Sequence, residues 1–222
     1  MIRRVAFGVL WVGFAAYAFL LAPPNAPDTA SLLVHLATGQ WNGINPLVIA
    51  LFNIMGVLPL AYSSLLLVDG RGQRLPAWPF VLASFGVGAF MVLPYLALRQ
   101  PNPTFTGEKN GLLKGLDSRW TGAAIALSAI GLILYGVTAG DWSNFVYQWQ
   151  TSRFIHVMSL DFGLLCVLFP ALIGDDMARR GIEDNRVLGA ITLIPLFGAL
   201  AYLALRPPLG QPVATSNTLP QS

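Results

Sequence analysis

Ile44-Asn45-Pro46-Leu47-Val48-Ile49-Ala50-Leu51-Phe52-Asn53-Ile54-Met55-Gly56-Val57-Leu58-Pro59-Leu60-Ala61-Tyr62-Ser63-Ser64-Leu65-Leu66-Leu67-Val68 contains no charged side chain. A helix needs roughly 20 apolar residues to cross a hydrocarbon core of about 30 Å. This run is long enough, and Asp69-Gly70-Arg71-Gly72 ends it with charge and turn residues. Five similar runs flank it: Val5 to Ala22, Ala77 to Leu98, Trp120 to Ala139, Phe154 to Ile173 and Val187 to Leu205. Their stops are Pro23-Pro24, Arg99-Gln100-Pro101, Gly140-Asp141, Gly174-Asp175-Asp176 and Arg206-Pro207-Pro208.

Composition agrees. Of 222 residues 55% are hydrophobic and only 10% charged, against about 25% charged in a soluble domain. Too little polar surface remains to coat a water-soluble globule, so the lipid bilayer is the expected environment. The fold class expected is an all-α membrane protein of about six transmembrane helices. Residues 1–206 form a single bundle, and 207–222, rich in Pro, Ser, Thr and Gln, form a disordered tail. The net charge of +3 does not indicate nucleic acid, because the 13 basic residues stand singly or in pairs at the ends of apolar runs. Cys166 is the only cysteine, which leaves no disulfide framework. Arg3-Arg4 before the first run looks like a signal peptide, but Pro23-Pro24 replaces the small-residue cleavage pattern, so that run reads as the first span.

Pro59, Pro94, Pro170 and Pro195 fall inside runs and predict kinks that neighbouring helices must satisfy. Small residues such as Gly86, Gly88, Gly131 and Gly136 permit close helix approach. The segments Asp28 to Trp41 and Asp141 to Arg153 mix apolar and polar residues at helical spacing and end in tryptophans, as interfacial helices do.

Pro94-Tyr95-Leu96-Ala97-Leu98-Arg99-Gln100-Pro101 can be laid over Ala201-Tyr202-Leu203-Ala204-Leu205-Arg206-Pro207-Pro208, and the same offset of 107 puts Asp69 over Asp176. This suggests a duplication with halves 5–101 and 120–208. Three spans per copy would invert the second copy. Alternating loops then place 6 basic residues on one side and 7 on the other, which gives the chain no orientation. A chance match between ordinary helix ends would look the same.

Asp161 lies about two turns inside the fifth run, where a carboxylate costs a few kcal/mol unless paired, protonated or facing water. It is the leading functional candidate, with Arg153, His156 and Asn53 beside it; an Asn53–Asp161 hydrogen bond that only fixes the bundle is the competing reading. His156 offers an imidazole that could ligate a metal or chlorophyll magnesium, but with only His35 besides, no metal site is recognisable. Asp175, Asp176, Arg179 and Arg180 read as a solvated loop face able to dock a partner. No phosphate loop, nucleophile elbow or zinc helix occurs, so no enzyme is expected.

Thr38-Gly39-Gln40-Trp41-Asn42-Gly43-Ile44-Asn45-Pro46, the run Trp149 through Asp161 to Gly181, Asp69-Gly70-Arg71-Gly72-Gln73 and Phe105-Thr106-Gly107-Glu108-Lys109-Asn110 resemble an uncharacterised family of polytopic membrane proteins of cyanobacteria and chloroplasts. The resemblance implies a thylakoid or plasma membrane protein of an oxygenic phototroph, with chlorophyll or carotenoid as conceivable cofactors. The resulting expectation is a non-enzymatic accessory or assembly factor of a photosynthetic membrane complex. The alternative is a small secondary transporter or channel using the intramembrane carboxylate. A lipid or isoprenoid enzyme would need several polar residues converging on a lateral opening.

Overall fold

The computed structural model describes residues 2–105 and 108–210, apart from the side chain of Asn185. The described residues are helical, with no strand among them. Helix α1 (Ile2–Ala16) ends in a π-helical turn, Tyr17–Leu21, and a short surface helix α2 (Thr29–Thr38) leads to α3 (Pro46–Asp69). Two ten-residue helices follow, α4 (Trp78–Val87) and α5 (Ala89–Leu98), then the short α6 (Gly111–Leu116). The second half begins with α7 (Arg119–Ala139), followed by the surface helix α8 (Trp142–Thr151). It continues through α9 (Arg153–Leu168), α10 (Pro170–Arg179), α11 (Asn185–Leu193) and α12 (Phe197–Leu205).

Local chemistry sets these starts. Asn45 caps α3 by accepting the Leu47 N–H at 3.0 Å, with Pro46 as first helical residue, where its missing donor is harmless. Ser118 caps α7 and Asp141 caps α8 in the same way. Pro59 and Pro94 lie within continuous helices, whereas Pro170 separates α9 from α10.

Four helical segments are long and apolar enough to cross a membrane: Ile2–Leu21, Pro46–Asp69, Arg119–Ala139 and Arg153–Arg179. The other two expected spans are each broken near the middle, one at Gly88 (φ 49°) and one at Leu196 (φ 65°), both in left-handed backbone. Each pair of half-helices folds back on itself. Phe80, early in α4, packs against Tyr95, late in α5, with ring centroids 5.5 Å apart. In the second pair, a Cβ on Gly198 would lie 2.7 Å from the Ile191 Cα. A ten-residue helix reaches about 15 Å, half a hydrocarbon core.

Both ends of each hairpin therefore lie at one end of the bundle. Gly70 and Ala77 touch after α3, and Arg99, after α5, returns to bond Asp69. Likewise Arg206, after α12, bonds Asp176 on α10. The opposite end holds the surface helices: Asn45 donates to the Asp141 carbonyl at 2.7 Å, and the Arg153 N–H donates to the Pro24 carbonyl at 3.1 Å.

Where six alternating spans were expected, four long apolar helices stand, and the other two runs form the hairpins. In place of the inverted arrangement of two halves, α3 and α9–α10 run in the same direction. Their first turns share an apolar cluster containing Ile49 and Ile155. Midway, Tyr62 stacks on Phe169 at 4.2 Å and donates to the Leu165 carbonyl at 2.5 Å. At their last turns Arg179 reaches Asp69.

Hairpins change the distribution of charge as well. Arg3, Arg4, Arg71, Arg74, Arg99, Lys109, Lys114, Arg119, Arg179, Arg180, Arg186 and Arg206 all belong to the end where α3 and α10 terminate, leaving Arg153 alone of the 13 at the other. The former is the arginine end. The first residues of the expected tail, 207–210, belong to the described part, and Leu209 among them is buried. Leu209 packs against Val68 and Leu113 and donates its N–H to Asp117 at 3.0 Å, while 211–222 lie outside the described residues.

Candidate functional site

Asp161 meets the first hairpin at its tip. Its Oδ1 accepts the Ala89 N–H, the first of α5, at 2.7 Å. A carboxylate at that position satisfies one of the donors that every helix start leaves open and opposes the positive end of the helix dipole. Gly88 is required here twice over: its φ of 49° disfavours other residues, and a Cβ would stand 1.9 Å from Asp161 Oδ2. The side chain that bonds this turn is 72 residues away in sequence.

A cavity of about 650 Å³ opens beside this contact, bounded by the π-helical end of α1, helix α2, the first half of α3, the hairpin tip and α9. Phe19, Leu33, Phe52, Met55, Phe85, Phe90, Phe154, Val157 and Met158 make most of its wall. Polar side chains are few: Asn25, Thr29, Ser84, Arg153 and Asp161. Thr29 turns its hydroxyl to the Ala26 carbonyl just before α2, and Ser84 to the Val81 carbonyl within α4. Arg153 donates its Nε to the Pro23 carbonyl at 2.9 Å and enters no ion pair among the described residues. It sits at the start of α9, eight residues before Asp161 and thus about 12 Å nearer the surface-helix end.

The other candidates have different fates. Asn53 donates to the Ile49 carbonyl within its own helix at 2.8 Å, so the expected Asn53–Asp161 bond does not form. His156 is buried, with Nδ1 2.9 Å from the Trp149 carbonyl and Nε2 2.8 Å from the Tyr17 hydroxyl. A carbonyl can only accept, so Nδ1 carries a proton, and in the neutral ring Nε2 then accepts from the Tyr17 hydroxyl. Both ring nitrogens are engaged, and the imidazole in this arrangement has no lone pair to offer a metal or chlorophyll magnesium. Among the described residues no cluster of His, Cys, Asp and Glu could hold a metal ion.

Asp175, Asp176, Arg179 and Arg180 do not form the solvated docking face expected. They are the centre of a buried ion network at the arginine end. Tyr95 donates its hydroxyl to Asp69 at 2.7 Å and Arg99 donates its Nε to the same oxygen at 2.7 Å; Arg99 also bonds Asp175. Tyr202 donates to Asp176 at 2.7 Å, joined by Arg180 at 2.8 Å and Arg206 at 3.1 Å. Arg179 links the two sets, 3.2 Å from Asp69 and 3.9 Å from Asp176. Tyrosine and arginine follow their aspartate by 26 and 30 residues in both sets. Pairing is what allows these charges to be buried.

Asp117 closes the edge of this network. Lys109 donates to it at 3.0 Å and the Leu209 N–H at 3.0 Å, and Arg180 Nη2 lies 2.7 Å away, an ion pair without hydrogen-bond alignment. Burial pushes the carboxyl up, but Arg180, Lys109 and the Leu209 N–H outweigh it and hold Asp117 below its ordinary 3.8. The folded state then binds this proton less tightly than the unfolded chain, so the contribution is full above about pH 4 and lost as pH falls further. Melting temperature measured against pH is expected to drop in that acid range, and Asp117→Asn is expected to flatten the drop.

Of the expected candidates, Asp161 and Arg153 line the cavity; the sequence reading named Gly88 only for close helix approach and did not single out Tyr17 or the roles of Asp69, Tyr95 and Arg99. The shared offset of 107 was the available signal for the last three. Compared with family models, curated proteins and solved structures, the chain matches none.

Proposed function

We propose that this protein is a non-enzymatic, four-span membrane protein that holds an amphipathic molecule in the cavity at the first hairpin tip. The observation that carries this reading is the cavity's make-up: an aromatic and aliphatic wall with one arginine at the start of α9 and one carboxylate at the hairpin tip. Sites for small amphipathic molecules have this character, mostly apolar with a few polar groups that fix orientation. The transport alternative has Asp161 beside a cavity in its favour, but the wall suits apolar groups rather than a hydrated ion. The enzyme reading wants several convergent polar groups, and at the base of the cavity Asp161 stands with Ser84, whose hydroxyl is committed to the Val81 carbonyl.

We further propose two parallel copies of one plan, namely a span, a surface helix, a second span and a half-depth hairpin. Equal spacings in the two Asp–Tyr–Arg sets and the stacking of Tyr62 on Phe169, 107 residues apart, support it. Two crossings per copy keep both copies the same way up, and 12 basic residues against one then place the arginine end in the cytoplasm or its equivalent. The resemblance to proteins of cyanobacteria and chloroplasts supplies the proposed setting, a thylakoid or plasma membrane. There the held molecule would be a lipid or pigment used by a photosynthetic complex.

The test is gentle detergent purification of the full chain from its native membrane, with mass spectrometry of co-purifying small molecules and an absorption spectrum. A stoichiometric amphipathic molecule that is lost in Gly88→Val, which drives a side chain into the hairpin tip, supports the reading. A protein that carries nothing, or carries it equally in Gly88→Val, overturns it.

A further inference from the structure

Arg153 is the one basic residue outside the arginine end, and it stands in the wall of the cavity rather than in the ion network. Its Nε is held by the Pro23 carbonyl, and the backbone N–H of the same residue by the Pro24 carbonyl, so the guanidinium is fixed in place by the turn that follows α1. No carboxylate pairs with this half-buried side chain among the described residues, whereas the buried Arg99, Arg179 and Arg206 all have carboxylate partners. Two guanidinium nitrogens therefore remain to donate toward a ligand, and a fork of this kind suits a phosphate or other oxyanion. Below it the wall is apolar, from Phe154 and Leu33 down to Phe52 and Phe90 at the hairpin tip. The drop from Arg153 to Asp161, about 12 Å, matches the half of the bilayer that the hairpin leaves unfilled.

We propose that the cavity is a site for an anionic membrane lipid of the leaflet opposite the arginine end, its headgroup on Arg153 and one chain along the phenylalanine wall. This deepens the reading of the cavity as a binding site and rests on it. Charge complementarity selects the headgroup, since a zwitterionic lipid would bring a cation against the same guanidinium. The free edge of the carboxylate at the base bars the headgroup from the deep end and so fixes the direction of entry.

The test is native mass spectrometry of the detergent-purified full chain titrated with phosphatidylglycerol and, separately, with phosphatidylcholine of identical chains. Phosphatidylglycerol is expected to bind about tenfold more tightly. Arg153→Gln is expected to lower it to the phosphatidylcholine level without changing phosphatidylcholine binding, and Arg153→Lys to keep part of the preference. Equal binding of the two lipids, or a preference that survives Arg153→Gln, overturns the headgroup assignment while leaving the cavity as a binding site. Displacement of phosphatidylglycerol by inorganic phosphate alone overturns the lipid assignment in favour of a soluble anion. If neither lipid binds the folded wild-type chain, the reading of the cavity itself fails with it.

Discussion

Replacing Asp176 with alanine is expected to cost the folded bundle on the order of 3–5 kcal/mol, the usual penalty for removing one partner of a buried ion pair. Asp176 is 0% exposed and receives Tyr202, Arg180 and Arg206, with Arg179 nearby. Its loss would leave three guanidinium groups facing one another across a space that water enters poorly. Asp176→Asn should recover little, because it keeps the shape but not the charge. Asp184→Ala, which removes an exposed cap on α11, should cost far less, within about 1 kcal/mol. Thermal melting of the three variants in one detergent orders them directly. A melting temperature for Asp176→Ala within a degree or two of wild type would mean that the network is not what joins the two halves.

The second large effect is all-or-none. Single cysteines at Arg74 and Lys114 are expected to react with a membrane-impermeant maleimide from the same side of the membrane, and cysteines at Gln40 and Ser143 from the opposite side. All four positions are exposed, and the native Cys166 is buried, which keeps the background low. The first pair flanks the α4–α5 hairpin, and the second lies at the surface helices. Six alternating spans would separate Arg74 from Lys114, so labelling of those two from opposite sides would remove the hairpin and with it the assignment of sidedness. With the hairpin retained, Gln40 and Ser143 should label in intact cells and the other two only after permeabilisation, as the positive-inside rule requires.

Residue chemistry alone carried several features through to the structure. The spans beginning near Val5, Ile44, Trp120 and Phe154 correspond to the four long apolar helices, because length and hydropathy are local properties. The surface helices α2 and α8 follow from their mixed faces, and Asp161 stood out because a carboxylate in an apolar run demands an explanation. The offset of 107 was legible too, yet its meaning was not. It marked a pair of buried Asp–Tyr–Arg sets, while Asp175, Asp176, Arg179 and Arg180 read in isolation as a wet loop. Charge predicts exposure only when no partner is available, and the partners here lie up to 110 residues away.

Whether an apolar run crosses the bilayer or turns back halfway is invisible to hydropathy, since both paths bury the same side chains in the same surroundings. Gly86-Val87-Gly88 and Ile194-Pro195-Leu196 permit a turn without requiring one. Long-range bonds decide it: Arg99 to Asp69 and Arg206 to Asp176 draw the far ends of the hairpins back to where they began, and Asp161 holds the first tip by the Ala89 N–H. The sequence by itself determined that this chain is apolar, helical and long enough to span a membrane several times. Which of the apolar runs stay straight and which fold into hairpins was decided in the packed chain, because that outcome rests on which distant charges meet.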